Sequence, residues 1–143
     1  MRLSAPALTE TTFGRFPSIF ARIHGKKGKV REYKALINPL SEYCIIPKVD
    51  AYLLGYPEVA FQHPTVAPPN SRTLLTYDGY NRSVVFTIGS VDVGSLHFEE
   101  VEFAAFDLPQ ASGFEAVIGK SLMERTTVTL DWSHRKLTLL KVK

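Results

Sequence analysis

Short β-rich runs, cut at close intervals by turn-forming residues, constrain the fold of this chain more than any other feature. "SIFARI" and "VREYKALI" flank a Gly-Lys turn and predict a hairpin from about Ser18 to Ile37. "YCIIP" reads as a strand stopped by Pro47, and "KVDAYLLG" has the apolar spacing of a short helix, with Asp50 near its start and Gly55 as its stop. "YPEVAFQHPTVAPPN" carries four prolines, which fix φ and remove backbone donors, so an irregular connection is expected there. "RTLLTYDGYNRSVVFTIG" places β-rich runs on both sides of Asp78-Gly79, a preferred dipeptide of tight hairpin turns.

The second half continues the pattern. "SVDVGSLHFEEVEFAAFDLP" alternates apolar and polar residues, most clearly from His97 to Phe103. "FEAVIGKSLMERTTVTLDWSHRKLTLLKV" reads as strand, short helix and a final hairpin turning at Ser133 to Arg135. Many short strands with one or two short helices predict an all-β chain, a small closed barrel or a sandwich. No internal repeat or low-complexity tract suggests a solenoid. One domain is expected over 1–143, with 1–15 as a loosely ordered N-terminal arm; 143 residues suffice to bury a core without staples.

Composition narrows the function classes. The chain is 45% hydrophobic and 22% charged, too apolar for a disordered protein. It has no apolar run long enough to cross a membrane, and its first residues lack the apolar core of a secretion signal. Cys44 is the only cysteine, which excludes an intramolecular disulfide; flanked by Tyr43, Ile45 and Ile46, it reads as a small core residue in a reducing cytoplasm. Asn81-Arg82-Ser83 matches a glycosylation acceptor only formally. The net charge of +3 is concentrated in "HGKKGK", which suits a solvated turn better than a phosphate site.

Several chemistries fail on spacing. His24, His63, His97 and His134 are far apart and have no Cys or His partner at ligand spacing, so no metal and no cofactor is expected. "GKKGKV" leads into a strand rather than the helix of a phosphate loop, and no G-x-S-x-G is present. Strand aromatics such as Tyr77, Tyr80, Phe86, Phe98 and Phe103 could stack on bases, but such residues usually form the core or cross-strand pairs.

The order of four segments resembles the retropepsin-like aspartic proteases, the single-domain family that includes the retroviral enzymes. "ALINPLSEYCIIP" is similar to the family's "ALIDTGASxxxIP" catalytic strand and the strand after it. "VDAYLLG" stands where a short helix follows, and "TLLTYDGYNRSVVF" resembles the flap hairpin. The most specific match is "FEAVIGKSLMERTTVTLDWSHRKLTL", in which Val117, Ile118 and Gly119 form the apolar-apolar-Gly motif before a short helix.

The resemblance implies a closed barrel with a flap, a homodimer, and a peptide bound between Thr76, Tyr77, Asp78, Gly79 and Tyr80 of the flap and the loop at Asn38. Each family subunit contributes one Asp, and the paired carboxylates share a proton. Here Asn38 stands at that position, followed by Pro39 and Leu40 in place of Thr/Ser-Gly, while Ser41 keeps a small residue. An amide does not take up a proton near neutral pH, so Asn38 cannot be the general base. Pro39 lacks the hydroxyl and N–H of the usual residue, and Leu40 adds a side chain where the backbone comes close. Two accounts fit: a natural pseudo-protease, or an Asp-Pro-Leu enzyme carrying Asp→Asn. Asp50, Asp78 and Asp131 read as N-cap, turn former and strand-end partner rather than substitute acids. A non-catalytic scaffold domain and, less well supported, a small nucleic-acid-binding barrel using Lys26, Lys27 and Lys29 are the alternatives.

Overall fold

A computed structural model describes residues 7–56, 71–76, 79–108 and 113–142, with 71–76 and 79–82 given as strand backbone. Ten strands occur among them: β1 (Leu8–Thr12), β2 (Ser18–His24), β3 (Val30–Ile37), β4 (Cys44–Ile46), β5 (Ser71–Thr76), β6 (Gly79–Val93), β7 (Leu96–Ala105), β8 (Ala116–Ile118), β9 (Thr126–Asp131) and β10 (Lys136–Lys141). Two short helices, α1 (Lys48–Leu53) and α2 (Lys120–Met123), follow β4 and β8. The proline-rich segment 57–70 lies outside the described residues.

The larger sheet has the order β2-β3-β8-β4-β7-β6-β5, and a further β2–β6 pairing closes six of these strands into a barrel. The expected small closed β-barrel is therefore the fold. Period-two patterning fills it: Tyr33, Ala35 and Ile37 of β3 point inward, as do Ala21 and Ile23 of β2. They pack with Phe98, Val101 and Phe103 of β7 and Val91 and Val93 of β6 in one continuous core. Two pairings in the barrel are parallel, β3 with β8 and β4 with β7, so β8 lies between β3 and β4 although it follows them by some 70 residues.

The alternation expected from His97 to Phe103 breaks in the middle. Leu96 and Phe98 are buried, and then Val101 and Phe103 are; Glu99 and Glu100 are both exposed. Glu100 absorbs the switch with a positive φ of 55°, a conformation uncommon for a residue with a side chain. The Arg125 guanidinium donates to the carbonyl oxygens of Glu99 (2.5 Å) and Glu100 (2.6 Å), which holds the kink.

A second sheet, β1-β10-β9, lies beside the barrel, with Leu137 and Leu139 of β10 fully buried. Residues 8–12, inside the segment expected as a loose arm, are thus strand β1, paired from Leu8↔Leu140 to Thr12↔Lys136. The final hairpin turns where expected. Asp131 accepts from Ser133 Oγ (2.8 Å), His134 N (3.1 Å) and His134 Nδ1 (2.8 Å), and these bonds, led by Ser133, lower its pKa to about 2. Asp131 is a turn partner. Asp50 is not the N-cap of α1: Pro47 holds that position, and Asp50, one turn in, faces Arg31 at 3.8 Å.

Two histidines that look isolated in sequence meet at one carboxylate. His24 Nε2 and His97 Nδ1 lie 2.9 and 2.7 Å from the two oxygens of Asp92, joining β2, β6 and β7 at the barrel's closing seam. Partial burial pushes the Asp92 pKa up, but the hydrogen bonds from His24 and His97 outweigh it and the net shift is downward. A carboxyl whose folded pKa is depressed stabilises the fold above its unfolded pKa of about 3.9 and loses that contribution as pH falls through the lower folded value. Acid titration followed by circular dichroism should therefore give a steeper loss of stability below about pH 4 in the wild type than in Asp92→Asn. Superimposable acid limbs would contradict this.

Candidate active-site loop

The Asn38 loop owes its position to the inserted strand. Because β8 separates β3 from β4, residues 38–43 must cross the end of β8 to join them. Asn38 N donates to Ile118 O at 3.0 Å, continuing the β3–β8 ladder to the last residue of β8. The chain then turns: Ser41 N donates to Asn38 O at 3.2 Å, with Pro39 at the second position of the turn, where its fixed φ is favoured.

The carbonyls of the crossing loop meet the start of α2. Lys120 N donates to Ser41 O (2.7 Å) and Ser121 N to Glu42 O (3.0 Å), so the loop satisfies two N–H groups that a helix start leaves without internal partners. Gly119 makes this approach sterically feasible. A Cβ there would stand 2.2 Å from Tyr43 O and 2.7 Å from Ser41 O, inside van der Waals contact with backbone that has nowhere to go. The glycine of the Val117-Ile118-Gly119 motif is thus required by the loop that it underlies.

Ser121 and Cys44 lock the other side. Ser121 Oγ accepts from Cys44 N (3.1 Å) and donates to Glu102 O (2.7 Å), tying α2 to β4 and β7. Sequence reading did not single out Ser121; its one signal is a small hydroxyl residue at a helix start, a position where such groups commonly bond backbone. Cys44 is fully buried, and burial pushes its thiol up to about 11, against the lowering effect of the Gly119 N–H and Ser121. A neutral thiol in this place is a core residue, not a nucleophile.

Asn38 itself is half-buried. Its Oδ1 accepts from Leu40 N at 3.0 Å, and because an N–H can bond only the oxygen, this contact fixes the orientation of the amide. Nδ2, with two N–H donors, has no hydrogen-bond partner among the described residues. Ser41 is buried, its Oγ donating to Tyr43 O at 2.6 Å, whereas Leu40 projects outward at 76% exposure.

The structure therefore brings together seven of the residues singled out from sequence: Asn38, Pro39, Leu40 and Ser41 in one turn, and Val117, Ile118 and Gly119 beneath it. Thr76, Gly79 and Tyr80 belong to the β5–β6 hairpin, with Thr76↔Gly79 and Leu75↔Tyr80 paired. Gly79 is itself a strand residue, paired with Thr76; Tyr77 and Asp78 lie outside the described residues. Among the described residues no cluster of three or more His, Cys, Asp or Glu side chains is arranged to hold a metal ion, and no helix is long and apolar enough to cross a membrane.

No family model matches the chain, and no curated protein matches it. Among solved structures the chain is similar to the crystal structure of a retropepsin-like aspartic protease from Rickettsia conorii, at 20% identity and a TM-score of 0.64 over 99% of this chain and 98% of that one. The architecture is the retropepsin-like aspartic protease fold.

The crossing loop generates a stability prediction. Gly119→Ala should destabilise the protein by about 1–3 kcal/mol or more, as overpacking against fixed backbone does, measured by denaturant unfolding. A loss below about 0.5 kcal/mol, the range of neutral surface changes, would show that the loop is not held as described.

Proposed function

We propose that the Asn38 loop is the floor of a peptide-binding cleft in an aspartic-protease-like domain whose hydrolytic step is disabled by the amide at position 38. The observation that carries this reading is the state of Asn38. Its oxygen accepts the Leu40 N–H at 3.0 Å and its NH2 group can donate, but neither takes up a proton near neutral pH. Hydrolysis by this class of site needs one group to take a proton from water and another to give one to the substrate carbonyl. Asn38 can orient a peptide carbonyl; it cannot activate water.

An aspartate would fit the same turn. One carboxylate oxygen would accept the Leu40 N–H and the other would be left for water or for a second carboxyl. In this reading the protein is a homodimer in the cytoplasm, two Asn38 loops face each other, and the outward Leu40 is covered by the second copy. The 76% exposure of Leu40 in one chain supports that reading and speaks against a cleft plugged by its own leucine. The β5–β6 hairpin, including Thr76 to Tyr80, would close over an extended peptide and pair with it by strand addition.

Cleavage of extended peptides between about pH 4 and pH 7 tests the proposal. Asn38→Asp should cleave at least about 100-fold faster than the wild type, the low end of what general acid–base groups supply. Brisk cleavage by the Asn38 form would sink the reading. Binding without cleavage by both forms would show that restoring the carboxylate alone does not restore hydrolysis, whereas binding by neither form would favour the scaffold alternative, in which Leu40 fills or distorts the cleft.

A further inference from the structure

The outward face of β3 carries Lys34, Leu36 and Asn38 in alternation, because Tyr33, Ala35 and Ile37 point into the barrel. Across the β2–β3 ladder, Phe20 stands opposite Lys34, and Ile37 N donates to Pro17 O at 3.0 Å, which sets Phe16 beside the start of the Asn38 loop. Phe114, just before β8, meets Phe16 edge to face with ring centroids 6.3 Å apart. The result is a strip of apolar surface that starts at Asn38, with Phe16 47% and Phe20 67% exposed.

Two cations border this strip. Arg15 lies over the Phe16 ring at 5.5 Å and Lys34 over the Phe114 ring at 5.7 Å, and neither is ion-paired among the described residues. Two of the nearby acids are paired elsewhere, Glu32 with Arg22 (3.3 Å) and Asp92 with His24 and His97; the third, Glu115, accepts from the Lys34 backbone N–H (3.2 Å) and forms no ion pair with the Lys34 ammonium among the described residues. An aromatic face with a cation on it offers apolar contact and, at its edge, positive charge for a carboxylate.

The geometry points to a selectivity determinant: the strip takes an extended peptide segment in which an aromatic or branched apolar side chain is followed closely by Asp or Glu, with Arg15 and Lys34 as the residues that read the acid. This rests on the peptide-binding reading of the Asn38 loop. It adds the chemistry of the ligand, which follows from charge complementarity with two unpaired cations.

Fluorescence anisotropy with two labelled peptides, identical except for Glu or Lys beside a Leu-Phe pair, provides the test. The wild type should bind the Glu peptide about fivefold more tightly at low salt, a modest ratio because both cations are exposed, and the difference should shrink as salt is raised. Arg15→Gln/Lys34→Gln should bring the two affinities to within about twofold while binding is retained. A preference that survives in that double variant, or equal affinities in the wild type, would overturn the charge selectivity and leave the peptide site standing. Binding of neither peptide by the wild type or by Asn38→Asp would overturn both the selectivity and the reading beneath it.

Discussion

The contact between Gly119 and the backbone of residues 41–43 is the constraint on which the rest of this structure depends. Strand β8 reaches its place between β3 and β4 only if the β3–β4 connection can pass over its end, and that passage leaves no room for a side chain at Gly119. Once the glycine permits it, the loop is fixed from three directions: by the Ile118 carbonyl, by the first N–H groups of α2, and by Ser121. A turn connecting two strands is ordinarily among the more mobile parts of a fold. This one is built into the barrel, and rigid placement of this kind is what a chemical site requires.

Local chemistry then decides what such a site can do. Within the turn the Asn38 side-chain oxygen accepts the Leu40 N–H. An amide at this position contributes hydrogen-bond donors and no titratable group. Pro39 and Leu40 act differently, since Pro39 removes an N–H from the loop rim and Leu40 places an apolar side chain outside it.

Much of this was legible in the sequence, for physical reasons. Turn residues and β-rich runs located the hairpins. The Asn38 turn and the glycine motif could be placed from their order along the chain. Other features depended on long-range geometry. Nothing near Glu100 announces a positive φ, because the kink is held by Arg125 from a different element. The convergence of His24 and His97 on Asp92 required the β2–β6 closure, which joins residues 68 apart. The strand at Leu8–Thr12 has a polar, threonine-rich sequence whose pairing is set by β10 rather than by its own pattern.

The claim at the centre of this account is that the Asn38 side-chain amide faces the bound peptide. Nitrogen-15 NMR of the Asn38 Nδ2 group during titration with an extended acidic-apolar peptide tests it directly. The account predicts that the two Nδ2 proton signals shift saturably, with the same midpoint as anisotropy gives for the same peptide. Signals that stay in place while the peptide saturates the protein would put the binding surface elsewhere and contradict the account.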